Sequence, residues 1–585
     1  MRHISNINFA IVQMNTITGD LKGNFEYIKN KVSELSEKGA EVIVFPETAI
    51  SGYCCGALWD NIEFIKEQED LVKNLSNLVP QNVAVVIGYV SFHGIKKNGF
   101  PRLKNSVAVL NNGNFFSYDK QLLANTDHHE DKKYFDFGTE TKIFEVQLSD
   151  GTIKIGTPIC EDIWHNDHIR NIPKEMTDMG ADVLLCTNQS YFYYNKQEFR
   201  RKLVKDISNN IPIIYVNNVG VGDIVKNIVI YDGGSLACYR GEIITELDQF
   251  KIDDEIFQLS DEITLGKTMN QIINEGITKY NDIYNSLIFT MKNYLELQGI
   301  KKVQVHLSGG LDSSIVAVLM SKTIGPENCI FITNPSSFNS KETIANAKYV
   351  ASKLGVRLFV NPIEDIYNQI LKTDEQSFDT ELNLKGKTTI HATLRACLAL
   401  YNCHRFGTAL VSTTNHTESV LGWSTYLDIS YAGVFAPIGD LSKIECYELA
   451  KYINQRFGEL IPKNLYDGTI IPSPELPDAP FSDNIDYFIQ SGLCAEVVRN
   501  HKGRNELIKN FVDKKLTPDY FTLTDDGKSV YDMYDLNAFI KEVDFTLNKI
   551  GKSVFKCAQM PPVILLSKRS RGFSSRETLI NKYKQ

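Results

Sequence analysis

Hydrophobic and polar residues follow two regular patterns along the first 260 positions of this 585-residue chain. Short apolar runs of strand length alternate with longer stretches in which apolar residues recur at helical spacing. The predicted strands are 8–13, 41–45, 83–88, 106–110, 153–159, 183–187 and 213–216, and the clearest predicted helices are 24–37 and 197–208. This alternation predicts an α/β domain whose chemistry lies at strand ends and in the loops that follow them.

A second series of strands and helices follows an acidic stretch, 248–269, whose lack of periodicity indicates a linker. A helix is predicted over 272–298, a strand over 303–307 and a further helix from about Asp312 or Ser313. The later predicted strands are 329–335, 357–363 and 409–414, and the later predicted helices are 341–354 and 388–404. Such regular alternation predicts a second, parallel and doubly wound sheet. We therefore place the domains at 1–260 and 281–585, with the linker at 261–280.

Composition narrows the class of protein. The length allows two to four domains, each with its own core. A hydrophobic content of 43% and a charged content of 23% are typical of a globular protein, and the net charge of −9 argues against nucleic-acid or anionic-membrane partners. The sequence shows no apolar run of signal-peptide or membrane-span length, and the adjacent Cys54 and Cys55 suit reduced thiols. These features predict a cytoplasmic location.

A Ser-Gly-Gly turn between a predicted strand and a predicted helix is the first candidate site. Unpaired N–H groups, small hydroxyls and the positive end of the helix dipole all favour an anion there. The turn lacks the lysine of a Walker loop, and the Asp312 carboxylate would repel phosphate unless Mg²⁺ intervened. An ordinary Ser-capped turn is the alternative, and the full seven-residue run argues against it.

This run, SGGLDSS, resembles the pyrophosphate loop of the N-type ATP pyrophosphatases, which activate a carboxylic acid as an adenylate. The resemblance implies an adenine nucleotide alpha-hydrolase-like fold for the second domain. It also implies that ATP contacts this loop through Ser308, Gly309, Gly310, Asp312, Ser313 and Ser314.

Three predicted strand ends in the first domain carry reactive side chains: Glu47, Lys120 and Cys160. Taken singly, each has an ordinary structural explanation, and a lone cysteine is more often a small core residue. Together they form a workable site. Glu47 could take the thiol proton, and Lys120 could lower the thiol pKa and stabilise an oxyanion.

The Glu-Lys-Cys arrangement resembles the nitrilase superfamily, and FPETAISGY, YDKQLLAN, KKYFDFG and ICEDIW resemble the glutaminase domain of glutamine-dependent NAD synthetases. This resemblance implies a nitrilase-like α/β sandwich in which Cys160 attacks the glutamine amide and ammonia leaves from a thioester intermediate. The segment NQSYFYYNKQEFRR resembles the family's substrate-side loop, which implies contacts from Ser190 and Lys196.

Two segments of the first domain depart from the family pattern. Where the family has FDEKRYF, this chain reads HHEDKKYF, so the second glutaminase carboxylate is either Asp131 or Glu130. The family's VGGQDE-like stretch reads VGVGD at 219–223 and lacks the glutamine. Elements that couple the two reactions could therefore differ here.

In the second domain, TTNHTESVLGWSTYLD and PIGDLSK resemble the corresponding segments of the same family. The resemblance implies that Thr413 and Arg395 contact ATP, that Asp312 and Glu418 bind Mg²⁺, and that Lys443 contacts phosphate. A helix N-terminal charge is the ordinary explanation of Glu418.

The departures in this domain lie on the acid-substrate side. Ser337 and Thr393 stand where the family has arginines, and a short proline-rich segment, 472–481, replaces its acid- and glutamine-rich lid.

From this resemblance we predict a homo-oligomeric glutamine-dependent NAD synthetase. ATP and Mg²⁺ would serve the adenylation of deamido-NAD, and glutamine would supply channelled ammonia. Two alternatives stay open: a paralogous amide ligase acting on another carboxylate, favoured by the altered lid, and a nucleotide-binding regulatory pseudoenzyme, disfavoured by the two complete catalytic sets.

Overall fold

The computed structural model describes residues 4–125, 128–164, 168–224, 226–259, 279–423, 428–470, 472–478, 485–521, 528–557 and 559–570. The chain divides into two compact units, Met1–Ile224 with Val229–Lys279 and Val225–Ile228 with Tyr280–Gln585. Of the predicted linker, 261–280, only the last two residues are described, and they begin a helix. No helix in the described ranges is long and apolar enough to cross a membrane.

The first unit contains two six-stranded sheets. The first sheet has the order β14-β1-β2-β3-β4-β5 and consists of β1 (Phe9–Gln13), β2 (Val42–Val44), β3 (Ala84–Ile95), β4 (Pro101–Asn111), β5 (Asn114–Asp119) and β14 (Asp253–Phe257). The second has the order β13-β12-β9-β8-β7-β6 and consists of β6 (Ile143–Leu148), β7 (Gly151–Gly156), β8 (Val183–Asn188), β9 (Ile213–Asn217), β12 (Leu236–Tyr239) and β13 (Glu242–Glu246). The strands β10 (Val219–Ile224) and β11 (Asn227–Asp232) pair with each other.

Alternating side chains of the first sheet build two separate cores. Phe9 and Ile11 pack with residues of the second sheet, whereas Ala10 and Val12 pack with residues of the helices. The period of two along a strand produces this division. The helices of this unit are α1 (Leu21–Glu37), α2 (Ile62–Ser76), α3 (Asp131–Tyr134), α4 (Ile172–Asp178) and α5 (Lys196–Ser208). The predicted nitrilase-like α/β sandwich is thus confirmed as two sheets packed face to face with helices outside.

The interpretation of 248–269 as linker throughout was wrong for one segment. Residues Asp253–Phe257 form β14, which pairs antiparallel with β1 at the edge of the first sheet. An edge strand tolerates acidic residues because its side chains are only half-buried. Asp254 also accepts from Lys31 Nζ at 2.6 Å, which balances its charge.

The second unit is built on a four-stranded parallel sheet. Its strands are β15 (Val303–His306), β16 (Cys329–Thr333), β17 (Leu358–Val360) and β18 (Ala409–Leu410), in the order β17-β16-β15-β18. This order confirms the predicted doubly wound sheet, and its direction of winding reverses between β15 and β18. Ligands of such sheets bind beyond the carboxyl ends of the strands at this reversal.

Helices connect and extend this sheet. Those within the sheet region are α6 (Lys279–Leu297), α7 (Leu311–Ile324), α8 (Lys341–Leu354), α9 (Glu364–Ser377), α10 (Leu384–Phe406), α11 (His416–Leu421) and α12 (Lys443–Phe457). Those that follow are α13 (Tyr487–Arg499), α14 (Arg504–Val512), α15 (Val530–Met533) and α16 (Leu536–Cys557), before the short β19 (Val563–Ile564). The residues Asn227 and Ile228 pair in parallel with β19 inside this unit.

Candidate active sites

The first candidate site is a buried cluster of one lysine and two carboxylates. Lys120 Nζ lies 2.8 Å from Glu47 Oε1 and 2.8 Å from Asp131 Oδ2. All three side chains are at most 2% exposed. Glu130, the other candidate carboxylate, instead pairs with Lys133 at the surface, so the geometry favours Asp131.

Strand ends and loops hold these carboxylates in place. Glu47 follows β2, and it accepts from Asn105 Nδ2 at 2.7 Å and from the Gln189 N–H at 2.7 Å. Asp131 accepts from the Tyr53 hydroxyl and from the Ala124 N–H. Each carboxylate is therefore satisfied on both oxygens, which is what burial of a charged group requires.

Cys160 begins a short 3₁₀ helix, Cys160–Ile163, after β7. Its φ of +42° is unusual for a residue with a side chain. Burial is the main cause of a thiol pKa raised well above its usual range. The Glu47 carboxylate adds to that rise, and Lys120 opposes it. At neutral pH the thiol is therefore protonated, and it needs a base before it can act as a nucleophile.

Asp162, which the sequence did not single out, ties the Cys160 turn to the Lys120 loop. Its carboxylate accepts from the Ile159 N–H at 3.0 Å, just before the cysteine. It also accepts from the N–H groups of Gln121 (3.0 Å) and Leu122 (2.8 Å), just after the lysine. Its fourth donor is the Tyr118 hydroxyl, at 2.8 Å. Burial raises the pKa of Asp162 to about 6.

The two predicted substrate-side residues, Ser190 and Lys196, are both buried. The Ser190 N–H donates to Asn217 Oδ1, and Ser190 O accepts from Arg200 Nη2 at 3.0 Å. Lys196 Nζ donates to Tyr191 O at 2.6 Å. Burial and then the nearby Arg200 lower the Lys196 pKa to about 7.

The second candidate site lies in the second unit, where its four-stranded sheet reverses its winding between β15 and β18. The predicted turn leads from β15 into α7, which begins at Leu311. Gly309 has a φ of +88°, and a Cβ there would meet Thr343 O at 1.8 Å. The hydroxyls of Ser308 and Ser313 lie 3.0 Å apart, and Ser314 Oγ donates to Gly310 O at 2.8 Å. The turn therefore presents backbone and small hydroxyls at a helix N-terminus, as an anion site requires.

The two predicted metal ligands share one basic partner. Asp312 Oδ2 accepts a hydrogen bond from Lys443 Nζ, which lies 3.5 Å from Glu418 Oε1. Asn415 Nδ2 donates to Asp312 Oδ1 at 3.3 Å and also caps the helix that carries Glu418. Two carboxylates beside a turn at a helix N-terminus fit Mg²⁺, which binds proteins through one or two carboxylates plus phosphates. Burial opposes the charge on Lys443, but Asp312 and then Glu418 outweigh it and raise the lysine pKa.

Arg395, predicted to contact ATP, points its guanidinium at the segment 472–476. Its Nη1 donates to Pro474 O and its Nη2 to Glu475 O, each at 3.4 Å. Glu475 in turn accepts from the Ser340 N–H at 3.0 Å and from Thr343 Oγ1 at 2.8 Å. This part of the altered lid is therefore fastened to the start of α8; residues 479–481 lie outside the described ranges.

Two other predicted positions have simpler surroundings. Ser337, in the arginine position of the family, donates through its N–H to Glu364 Oε2 at 2.7 Å and through Oγ to Glu364 Oε1 at 3.1 Å. Thr413 follows β18 and is half-buried.

Comparison with known proteins defines the class of each unit. Residues 8–260 match the carbon-nitrogen hydrolase family, and residues 283–488 match the NAD synthase family. The chain is thus a carbon-nitrogen hydrolase domain followed by an NAD synthase domain.

The chain is similar over most of its length to proteins with both domains. It is 28% identical to the glutamine-dependent NAD(+) synthetase of Aquifex aeolicus over 99% of this chain and 100% of that one. It is 28% identical to that of Synechocystis over 85% of this chain and 90% of that one. The chain belongs to the glutamine-dependent NAD(+) synthetases, as its motifs predicted.

Solved structures support the same fold. The glutamine-dependent NAD+ synthetase of Acinetobacter baumannii is 22% identical and superposes with a TM-score of 0.71, covering 98% of both chains. That of Cytophaga hutchinsonii is 17% identical, with a TM-score of 0.76 and 98% of both chains covered.

Proposed function

We propose that the chain performs the glutamine-hydrolysing NAD+ synthesis of its family and that the two sites described above divide the work. The first unit hydrolyses glutamine to glutamate and ammonia. The second uses ATP to adenylate the nicotinate carboxylate of deamido-NAD, and ammonia then displaces AMP to form the amide. The products are NAD+, AMP, diphosphate and glutamate.

The buried Glu47–Lys120–Asp131 cluster, whose Glu47 and Lys120 charges act on the Cys160 thiol, is the observation that carries this proposal. Glu47 removes the thiol proton as Sγ attacks the amide carbon, and it returns the proton to the departing nitrogen. Lys120, whose ammonium is already balanced by two carboxylates, donates to the oxyanion that forms. Water then cleaves the thioester, with Glu47 acting again as the base.

The turn at 308–314 carries the second reaction. Its N–H groups and the hydroxyls of Ser308, Ser313 and Ser314 bind the pyrophosphate part of ATP. Asp312 and Glu418 would hold Mg²⁺, which would supply positive charge to offset the negative charge of the diphosphate. Lys443 contacts phosphate, and Thr413 and Arg395 line the nucleotide site.

Replacing Cys160 by Ala tests the assignment. We expect the variant to lose glutamine-driven NAD+ synthesis but to retain synthesis from ammonium salts, because the adenylation site lies in the other unit. Cys238→Ala, at a buried cysteine of β12, is the matched control and should retain both reactions. A Cys160→Ala variant that still used glutamine at the normal rate would rule out the thiol as nucleophile.

We also propose a cytoplasmic, homo-oligomeric enzyme. Every cysteine whose side chain the structure describes is a free thiol, which suits a reducing compartment. Ile366, Phe378 and Leu384 are exposed by 44%, 64% and 53%, and a second copy of the chain would shield such apolar groups. Sedimentation of the purified protein tests the oligomeric state.

A further inference from the structure

Lys443 occupies the space between the two carboxylates that we assign to the metal. Its side chain is 5% exposed, and its ammonium contacts both Asp312 and Glu418. These two carboxylates stand at the starts of α7 and α11, which follow the neighbouring strands β15 and β18. The ammonium therefore does in this structure what a cation would do there: it balances two negative charges brought together by the fold.

An ammonium and a divalent cation that share these carboxylates repel each other, and water screens the repulsion only partly because the side chains of Lys443, Asp312 and Glu418 are 5%, 15% and 22% exposed. The carboxylates can bind either cation, but they cannot bind both with full affinity. Metal binding therefore requires Lys443 Nζ to leave these carboxylates and to contact other negatively charged groups. The β- and γ-phosphates of ATP, bound at the adjacent turn, are such partners.

The backbone around Lys443 is suited to a change confined to the side chain. Its N–H donates to Thr417 Oγ1 at 3.1 Å, which fixes the start of α12 beside α11. Its Nζ also lies 5.2 Å from the centre of the Tyr487 ring, a further favourable contact for a cation. The flexible four-carbon stem can thus redirect the ammonium while the helix stays in place.

We propose that Lys443 is an exchangeable counter-cation: it neutralises Asp312 and Glu418 in the free enzyme and transfers to the nucleotide phosphates when ATP and divalent metal bind. It follows that the metal enters with the nucleotide and binds only weakly before it. This inference rests on the proposed role of Asp312 and Glu418 as metal ligands.

Binding of Mn²⁺ to the full-length protein without nucleotide tests the exchange, with free Mn²⁺ measured by electron paramagnetic resonance. We expect the wild type to bind weakly and Lys443→Gln to bind at least tenfold more tightly, because the variant removes the ammonium that competes with the metal for the two carboxylates. The matched control is Lys451→Gln on the same helix, where the lysine pairs with Glu448. It should bind Mn²⁺ like the wild type.

Equal Mn²⁺ affinity of the wild type and Lys443→Gln would overturn the exchange. The variant Asp312→Asn tests the proposed metal site separately from the exchange. If this variant loses ATP-dependent Mn²⁺ binding, the metal site is supported even where the exchange is refuted. If Lys443→Gln does not fold, the Mn²⁺ affinity of the wild type with and without ATP tests the exchange. A gain of at least tenfold in Mn²⁺ affinity on adding ATP supports the exchange, after correction for Mn²⁺ bound by free ATP, and equally tight binding without ATP refutes it.

Discussion

Cys160 has an unusual backbone conformation, which we expect to be as important for its proposed reaction as the thiol itself. A non-glycine residue at a φ of +42° costs on the order of 1–3 kcal/mol and persists only where its surroundings enforce it. Asp162 provides that enforcement, because it binds the N–H just before the cysteine and the two N–H groups that follow Lys120. The Cys160 turn and the loop after Lys120 are thereby held by one carboxylate.

We therefore expect Asp162→Ala to lower kcat for glutamine by roughly 100-fold with a small change in KM, because misplacing a reacting group costs rate more than binding. Synthesis from ammonium should be unchanged. Tyr118→Phe is the control, since it removes one donor to Asp162 and leaves the three backbone N–H groups. Steady-state kinetics with both nitrogen sources measure the effect. A similar fall in both reactions would show general destabilisation instead of a positioning role.

The raised pKa of Asp162 also predicts a pH dependence of stability. The folded-state value of about 6 exceeds the usual 3.8, so the folded protein binds the proton more tightly. Protonation of Asp162 therefore stabilises the folded protein. Its contribution to the free energy of unfolding is complete below the usual pKa of 3.8 and is lost as the pH rises through about 6. Relative to Asp162→Asn, the wild type should lose stability between pH 4.5 and 6.5, by at most on the order of 3 kcal/mol. Thermal unfolding of both proteins at both pH values tests this. A difference in stability between the wild type and Asp162→Asn that did not change with pH would contradict it.

Among individual residues, those at predicted strand ends were the easiest to find. Glu47 and Lys120 follow apolar runs, and the structure brings them into contact. Asp162 was missed because three of its four partners lie about 40 positions away along the chain, although its place two residues after the cysteine was a signal. Asp131 could not be told from Glu130 because only the course of the short helix α3 decides which carboxylate points inward.

Among secondary-structure elements, the strand-turn-helix at 303–324 was predicted well because its pattern is local. The helix begins at Leu311, within two residues of the expected start. The close approach of the turn to α8 could not be predicted, since Thr343 lies far along the chain from Gly309. β14 was missed for a related reason: its pairing with β1, not its own pattern, makes it a strand.

Gly309→Ala tests that close approach. We expect it to lower the free energy of unfolding of the second unit by at least ~2 kcal/mol and to weaken ATP binding, because the new Cβ would meet Thr343 O at 1.8 Å and the residue has a φ of +88°. Gly310→Ala is the matched control for stability: Gly310 has a φ of −81°, and the nearest atom to a Cβ there is Ser308 Oγ at 3.4 Å. Thermal unfolding with and without ATP measures both variants, and equal losses would contradict the steric argument.

On the scale of the whole molecule, both domain types were predictable because each rests on motifs at strand ends of a regular α/β pattern. The surroundings of the acid substrate were not. Here Ser337 is bound by Glu364, and Arg395 contacts backbone carbonyls of the segment 472–476. These contacts depend on loops whose sequences depart from the family pattern, so the motifs do not describe them.

The acid substrate is consequently the property of the whole enzyme that most needs a direct test. A site for a dinucleotide needs positive charge for its phosphates, and Ser337 and Thr393 supply none where the family has arginines. If deamido-NAD is the substrate, other cations take that role, and Arg395, which we also place at the nucleotide site, is a candidate because it contacts the segment 472–476. We expect AMP release that requires deamido-NAD and saturates between about 1 μM and 1 mM.

Arg395→Met should then raise KM for deamido-NAD by roughly tenfold or more, since a charge-assisted hydrogen bond contributes about 1.5–3 kcal/mol. Arg405→Met, at an exposed arginine near the end of α10 that bonds Tyr401, is the control and should leave KM unchanged. The measurement is AMP formed with each of a panel of carboxylic acids and with ammonium as nitrogen source, so that glutamine hydrolysis does not limit the rate. If deamido-NAD gave no AMP above background while another acid did, the chain would be a paralogous amide ligase. The Cys160 chemistry and the ATP site would keep their proposed roles, because neither depends on which acid is activated.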